Sequence, residues 1–495
     1  MGSSIDSDAS SISVIDILFE IPPTSQRMDD LSRDNPLAAV SPLDGRYSAR
    51  TAPLVSYTSE AALMYTRLRV EIEYLYALDT LDAVSFSLDD ADRDTLGTTL
   101  DSFDGDDAAM IKRLETEGAA GYSATNHDVK AIEYFLRIQT PSYIHPWIHF
   151  GLTSEDINNL SHRLLIRSGV DDVLVPALRS LRDELVSLAQ DYRNTPMLAQ
   201  THGQPATPTT FGKEMAVYAT RVGTAIGRIT DANDGLTGKL AGASGTYAAH
   251  VAAYPAVDWQ AFAQSFVTGL GFEHTRLSTQ INPCDDLAAL FDALCGVNDI
   301  IVDLDRDAWL YISNRYLGQQ STAGETGSST MPHKINPIDF ENAEGNLSKA
   351  TSDLRFLADY ITNSRLQRDL SDSTVKRNIG AGLAHALIGY QKTTDGLQKV
   401  VPNQTVMRSE LESHPELIGE AVQTILRREG DTDAYERVKE LTRGEDVSLA
   451  DFQDLFASLP VSESVREELQ ALSPLSYTGY ATDLVDEIDE DHTQK

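Results

Sequence analysis

The sequence predicts an all-α protein of three domains with a central bundle of long helices. Apolar residues recur at three- and four-residue steps over long stretches, whereas the two-residue alternation typical of strands is nearly absent. A chain of 495 residues with 41% hydrophobic residues is too long for one compact core but apolar enough for several. We place domain boundaries near residues 145 and 400, which gives domains 38–145, 146–400 and 401–495.

The first 37 residues are expected to be a disordered extension. They contain a short apolar stretch, SVIDILFEIPP, but neither the basic region nor the small-residue cleavage site of a signal peptide. Met28 begins MDDLSRDNPLAAVSPLDGRY, which has the character of a natural start.

Helical periodicity is strongest in four stretches that precede residue 320. They read SEAALMYTRLRVEIEYLYALDTL, VLVPALRSLRDELVSLAQDYRN, GKEMAVYATRVGTAIGRITDA and DDLAALFDALCGVNDIIVDLDRDAWLYI. Residues 336–400 predict one or two further long helices, broken near LQRDLSDSTVKRN, and shorter helices follow Pro402. The acidic stretch 78–107 is expected to be a solvated helix–loop region. Long helices of this kind are typical of an elongated bundle whose faces are covered by partner subunits.

The charge balance is strongly acidic, with 75 Asp and Glu against 40 Lys and Arg and a net charge of −35. Because the apolar content is normal, the charge indicates an acidic surface on a folded protein and fits a high-salt cytosol. It disfavours nonspecific binding to nucleic acid or to anionic membranes. An anionic substrate would therefore need a local basic pocket.

No cofactor or metal is predicted. Cys284 and Cys295 form no metal or redox motif and are expected to be buried small hydrophobes. The sequence lacks HExxH, GxxxxGK[ST], GxGxxG and CxxC, so zinc hydrolysis, P-loop chemistry and dinucleotide chemistry lose their usual support. No apolar run approaches the ~20 residues of a membrane span.

Residues 327–337, GSSTMPHKINP, form the most informative segment. The pair Asn336–Pro337 predicts a helix start, since Asn is a strong N-cap and Pro suits the first helical position. The preceding residues are small and glycine-rich, as in a loop that closes over a ligand. Hydroxyls and backbone N–H groups beside a lysine can stabilise negative charge on a carboxylate. The alternative for the string GSS alone is a serine-rich surface turn.

Two further segments place polar groups beside expected helix starts. THGQPATP (201–208) sets His202 just before a helix predicted to begin at Thr207–Pro208, where it could transfer a proton or serve a structural role. LTSEDINNLS (152–161) offers Thr153 and Ser154, for which a helix N-cap with an acidic first turn is the alternative.

Two other segments carry a histidine and a set of cations. His127 lies between Asn126 and Asp128, which can both form side-chain hydrogen bonds. The segment 364–378, SRLQRDLSDSTVKRN, places four cations among hydroxyls, a combination that suits phosphate. These cations are Arg365, Arg368, Lys376 and Arg377.

Together these segments resemble the fumarase/aspartase superfamily and, within it, the bacterial-type branch of the adenylosuccinate lyase family. The resemblance runs from about residue 38 to the C-terminal region and includes SPLDGRY, TNHDVKAIEYFL, TSEDINNLS, THGQPATPTTFGKEMA, AAYPAVDW, GSSTMPHKINPIDFENAEGNL and QRDLSDSTVKRN. It implies the three-domain fumarase/aspartase-like fold and a cytoplasmic enzyme. The implied reaction is elimination of fumarate from adenylosuccinate and from the succinylated imidazole-carboxamide ribotide of purine synthesis.

The resemblance also implies residue roles. Ser328 would be the base, His202 the acid, Glu341 the carboxylate that orients the acid, and Lys334 a stabiliser of the enolate. The substrate's phosphate, carboxylates and succinyl group would be bound by Arg46, Tyr47, Asn126, His127, Asp128, Thr153, Ser154, Gln280, Ser329, Asn336, Arg368, Ser373 and Arg377. A homotetramer with each site built from three chains would bring these segments together.

Two alternatives to this function are another lyase of the superfamily and a non-catalytic structural relative. Another lyase of the superfamily, such as argininosuccinate lyase or aspartase, would have no use for the basic DSTVKRN segment, because fumarase-like substrates carry no phosphate. A non-catalytic structural relative could tolerate loss of the serine, the histidine or the lysine, but all three are present.

Overall fold

The computed structural model describes residues 36–320, 335–442 and 447–488 and is predominantly helical. Its α-helices are α1 Ser48–Thr51, α2 Val55–Thr58, α3 Glu60–Asp79, α4 Asp90–Asp101, α5 Gly105–Thr116, α6 Asp128–Gln139, α7 Ser154–Gly169, α8 Val175–Asp191, α9 Phe211–Asp234, α10 Ala248–Ala253, α11 Trp259–Gly269, α12 Asp285–Ser313, α13 Ile338–Ile361, α14 Ser371–Lys376, α15 Ile379–Leu397, α16 Gln404–Glu412, α17 Gly419–Arg428, α18 Ala434–Thr442, α19 Leu449–Ser458, α20 Glu463–Gln470 and α21 Asp483–Asp486. A π-helical segment, Val170–Leu174, joins α7 to α8. Short 3₁₀-helices cover Pro36–Ala38, Ala52–Leu54, His145–Trp147 and Pro415–Ile418.

The strands are short and pair only in twos within the described ranges. They are β1 Gly118–Ala119, β2 Tyr122–Ser123, β3 Pro196–Thr201, β4 Gln204–Thr210, β5 Thr237–Gly238, β6 Glu273–His274, β7 Leu317–Gln319 and β8 Val400–Pro402. β5 and β6 are parallel, and the other three pairs are antiparallel. The all-α prediction is therefore confirmed.

The chain divides into a short unit that ends at Ala52 and a large unit from Pro53 onward. Within the large unit, α8, α9, α12, α13 and α15 pack side by side as a bundle. The 29 residues of α12 span about 44 Å at 1.5 Å per residue, which makes it the longest helix in the described ranges. Cys284 and Cys295 are buried, as predicted. The predicted boundaries near 145 and 400 stay predictions.

A second set of helices packs beside the first turns of α7. α3 contacts α5, α6 and α7, and it buries one whole face that includes Leu68, Leu75 and Leu78. Beyond Pro402, a separate core forms from residues of α17 to α20, with Phe452 and Phe456 fully buried at its centre. The predicted change to shorter helices after Pro402 is confirmed.

One predicted helix start is wrong in position, and a second is confirmed to within one residue. Residues 207 and 208 belong to strand β4, and α9 begins three residues later, where the Thr210 hydroxyl accepts a bond from the Lys213 N–H at 3.2 Å. Pro208 is tolerated because β4 pairs on one side only. Helix α13 begins at Ile338, with Pro337 rather than Asn336 as its N-cap.

The break predicted between residues 336 and 400 is confirmed. α13 ends at Ile361, α14 is a single short helix, and α15 begins at Ile379. Of the predicted N-terminal extension, residues 1–35 lie outside the described part of the chain. No helix in the described ranges has both the length and the hydropathy needed to cross a membrane.

Candidate active site

Two helix N-termini meet at the centre of the candidate site. His127 is the N-cap of α6, and its Nδ1 accepts a bond from the Lys130 N–H at 3.3 Å. Thr153 is the N-cap of α7 and forms a capping box with Asp156. The His127 Nε2 lies 3.4 Å from the Ser154 hydroxyl, which joins the two termini. Because helix N-termini attract anions, the pair forms a favourable surface for carboxylate or phosphate.

Four cations, hereafter the basic cluster, surround these termini: Arg67, Arg368, Lys376 and Arg377. Arg67, from α3, donates to Asp128 and to Asn158, both at 2.8 Å. Arg368 lies 3.2 Å from Glu155. The cluster therefore connects the NHD segment, the TSED segment and the basic segment 364–378.

Burial and neighbouring charges shift the pKa values of Arg67, Asp128 and Lys376 in opposite directions. Burial lowers the pKa of Arg67, although Asp128 opposes this shift. Burial would raise the pKa of Asp128, but Arg67 outweighs it and holds that pKa below its ordinary value. Burial also opposes the charge on Lys376, yet Glu155 and Asp372 keep its pKa raised. Arg67, Asp128 and Lys376 therefore stay ionised although Arg67 and Lys376 are buried.

Gln280 contacts the basic cluster through Arg368. Its Oε1 accepts a bond from Arg368 at 3.4 Å, and its Nε2 donates to the Ala243 carbonyl at 3.2 Å. The side chain is thereby oriented by the cluster on one side and by a backbone turn on the other. This predicted succinyl ligand is placed beside Glu155 through their shared partner, Arg368.

A cavity of about 170 Å³ adjoins the basic cluster. Ser373 and Arg377 line it together with Arg67, Lys376 and His162. Burial, followed by the charges of Lys376 and Arg67, holds the pKa of His162 well below its ordinary value. His162 is therefore neutral, and the positive charge on this wall comes from the arginines and the lysine.

Other predicted site residues are not joined to the cluster. His202 is exposed in the turn of the β3–β4 hairpin, with a left-handed φ of 55°. Glu341 lies in the first turn of α13, where it accepts a bond from the Trp309 indole at 3.2 Å. In the described part of the chain, no hydrogen bond or ion pair links either residue to the basic cluster.

Four further predicted residues lie in the described part of the chain. Arg46 and Tyr47 belong to the short N-terminal unit, where Tyr47 precedes α1. Asn126, with a φ of 46°, precedes the N-cap of α6, and Asn336 is half-exposed before α13. Ser328, Ser329 and Lys334 lie outside the described residues. Their roles stay predictions.

Sequence reasoning missed Arg67 and the buried pair of Lys239 and Asp156. Arg67 lies on the same helical stripe as Glu71, Tyr74 and Leu78, all of which are buried. A charged residue within such a stripe was the available signal, because charges are rarely buried without a partner. Lys239 lies within LTGKLAGASG, among small residues, and no helical stripe of apolar residues there indicated that it is buried.

Comparison with known proteins identifies the family. A family model described as Lyase matches residues 45–351, and one described as Adenylosuccinate lyase C-terminal matches residues 364–478. The chain is 43% identical over 461 residues to adenylosuccinate lyase of Escherichia coli K12, covering 91% of this chain and 99% of that protein. It is 41% identical over 464 residues to that of Dictyostelium discoideum, covering 91% and 98%.

Solved structures agree on the fold. A fumarate lyase from Mesorhizobium sp. BNC1 superposes with a TM-score of 0.71 at 18% identity, covering 88% of this chain and 97% of that one. The 3-carboxy-cis,cis-muconate lactonizing enzyme of Pseudomonas putida gives a TM-score of 0.67 at 19% identity with the same coverage. With the close similarity of sequence over nearly the whole length, these findings show that the chain belongs to the adenylosuccinate lyase family of the fumarase/aspartase superfamily.

Proposed function

We propose that this chain is a carbon–nitrogen lyase that eliminates fumarate from adenylosuccinate, giving AMP. The same elimination would act on the succinylated imidazole-carboxamide ribotide of purine synthesis. The relatives that share 41–43% of its residues are named adenylosuccinate lyase. The observation that carries the proposal is the basic cluster at two helix N-termini, which concentrates positive charge in a chain of net charge −35.

The members of the basic cluster differ in how strongly they are committed to protein carboxylates. Lys376 lies 2.7 Å from Asp372, and Arg67 lies 2.8 Å from Asp128. Arg377 is farther from its carboxylate, at 3.7 Å from Asp128, and its side chain is 56% exposed. We therefore assign phosphate binding to Arg377 with Ser373, because its guanidinium can form new charge-assisted bonds without breaking a short one. Arg67 and Lys376 would hold the surrounding carboxylates.

The proposed chemistry needs a base, an acid and a stabiliser of negative charge. Ser328 would take the carbon-bound proton, and His202 would protonate the leaving nitrogen. Lys334 and backbone amides of the 327–331 loop would stabilise the enolate that forms on the adjacent carboxylate. Serine is a poor base in water, so this assignment requires a loop that closes over the substrate.

We also propose that the site is completed by other subunits of a cytoplasmic homotetramer. His202 and Glu341 are both exposed, and neither is bonded to the basic cluster within one chain. A neighbouring copy that packs along the central bundle could supply them. Thr153, Ser154, Gln280 and Asn336 would bind the carboxylates and succinyl group of the same substrate.

The activity is tested by following fumarate release by ultraviolet absorbance. Adenylosuccinate is the test substrate, and argininosuccinate and aspartate are the controls for other lyases of the superfamily. The assay is run from about 0.1 M to about 3 M KCl, because the acidic surface requires screening. Release from adenylosuccinate alone supports the proposal. Absence of release at every salt concentration would exclude it.

Shared sites are tested by subunit complementation. Proteins carrying His202→Ala and Ser328→Ala are each inactive by prediction, and mixed tetramers should regain partial activity because some sites then contain both intact residues. The control is reassembly of each variant with itself. Mixed tetramers that stay at background would show that both residues act from one chain.

A further inference from the structure

A fully buried lysine joins two segments that carry predicted substrate ligands, the one with Thr153 and Ser154 and the one with Gln280. Lys239 and Asp156 are both completely enclosed, with Nζ 2.6 Å from Oδ1. The lysine Nζ also donates to the carbonyls of Gly242 and Gln280, each at 2.9 Å. An ammonium has three N–H donors, and each of them has an acceptor here.

Asp156 is satisfied in the same way. It accepts bonds from the backbone N–H groups of Thr153 at 2.9 Å, Ala241 at 2.9 Å and Gly242 at 3.1 Å. Its bond from Thr153 is half of the capping box that starts α7. The ion pair therefore fixes the first residue of the TSED segment on one side and the turn at 241–242 on the other.

The Gln280 segment is held against this turn by close backbone contact. A Cβ on Gly245, whose φ is 74°, would collide with the Ser278 carbonyl. The side chain of Gln280 donates to Ala243 within the same turn. Arg368 then bridges Gln280 to Glu155 through their side chains, while Lys239 bridges the same two segments from the buried side.

We propose that Lys239 is a positioning residue for substrate binding, which sets Gln280 at its distance from Thr153 and Ser154. This inference depends on the proposed function, because those three residues are assigned to the succinyl group. The phosphate side, at Arg377 and Ser373, lies outside the network of Lys239. Loss of the ammonium should therefore weaken binding of the succinyl part and leave the nucleotide part unchanged.

The test variant is Lys239→Met, measured in the full chain in its assembled form. We expect KM for adenylosuccinate and the inhibition constant of fumarate to rise roughly tenfold or more, the effect of losing one bond to a charged group. Inhibition by AMP should change less than about twofold, since the phosphate contacts stay in place. Wild-type fumarate release is measured first, so that failure of the proposed function is recognised separately.

Arg163 provides a matched control. It lies on α7 and is also buried, and it forms a two-bond ion pair with Asp286 at 2.7 and 2.9 Å, with no described bond to Gln280 or to the turn at 241–242. Arg163→Met should lower Tm without the selective rise in KM. If Lys239→Met does not fold, the double variant with Asp156→Asn leaves neither charge unpaired and is measured instead. Unchanged KM in either folded variant, or equal effects on AMP and fumarate, would overturn the proposal.

Discussion

The basic cluster and the tip of the β3–β4 hairpin are two parts of one predicted site. They differ in how far a single chain encloses their side chains. In the cluster, the Arg67 side chain is only 7% exposed and pairs with Asp128. At the hairpin tip, His202 and Gly203 are exposed and adopt left-handed backbone conformations. A part that is enclosed within one chain contributes to stability as well as binding. An exposed part should affect the reaction alone.

The largest effect is expected at the hairpin tip. His202→Ala should lower kcat by about 10²- to 10⁴-fold, the usual contribution of a general acid, with Tm unchanged because the side chain is exposed. Ser328→Ala should abolish turnover similarly. Gln200→Ala, on the same hairpin, is the control and should retain activity. More than a tenth of wild-type activity in His202→Ala would make the assignment wrong.

A smaller effect should separate Arg377 from Arg67 within the basic cluster. Arg377→Ala should weaken inhibition by AMP about 10- to 100-fold and leave inhibition by fumarate and Tm nearly unchanged. Arg67→Met should instead destabilise the fold by roughly 3 kcal/mol, because Asp128 loses its closest cation. Equal loss of AMP and fumarate inhibition in Arg377→Ala would contradict phosphate recognition.

The cluster and the hairpin also differ in what the sequence could predict. The long helices and the N-cap at Thr153 were predictable because periodicity and capping are local patterns. The start of α9 was not, since Thr207–Pro208 has the local chemistry of a helix start and only the pairing of β3 with β4 makes it a strand. The pairing of β3 with β4 therefore determined the structure of residues 207 and 208.

Buried charges were the second feature that local sequence patterns could not predict. Arg67 is 61 residues from Asp128, and Lys239 is more than 80 residues from Asp156, so no local pattern joins them. The motif NHD identified Asp128 only by resemblance, and Arg67, the partner that helps to lower its pKa, lies on α3. Arg67 was visible in the sequence as an isolated charge on an apolar stripe, whereas Lys239 had no such pattern.

Salt should distinguish the buried cluster from the acidic surface. Raising KCl from about 0.1 M to about 3 M should increase Tm by several degrees or more, because ions screen repulsion between exposed carboxylates. The loss of Tm caused by Arg67→Met should stay constant over the same range, since an enclosed pair is screened far less. Sucrose is the unscreened control. A flat profile for the wild type would exclude the halophilic interpretation of the composition.

Two histidines that hold the segment before Thr153 should respond to pH in opposite ways. His149 contacts Glu71 at 2.6 Å, and His250 contacts the Tyr74 hydroxyl at 3.0 Å. Burial opposes the charge on His149, but Glu71 raises its pKa. Burial lowers the pKa of His250 to about 4, from 6.5. The two groups should therefore contribute to the free energy of unfolding with opposite pH dependence.

The sign of each contribution follows from linkage. His149 binds its proton more tightly in the fold, so its stabilisation is complete below pH 6.5 and is lost as pH rises through the raised pKa. His250 binds its proton less tightly, so the fold loses on the order of 3 kcal/mol as pH falls from 6.5 towards 4. Unfolding of His149→Gln and His250→Gln is compared with the wild type at each pH. The deficit of His149→Gln should shrink as pH rises, and that of His250→Gln should shrink as pH falls. Deficits that change in the same direction would show that these contacts do not set the two pKa values.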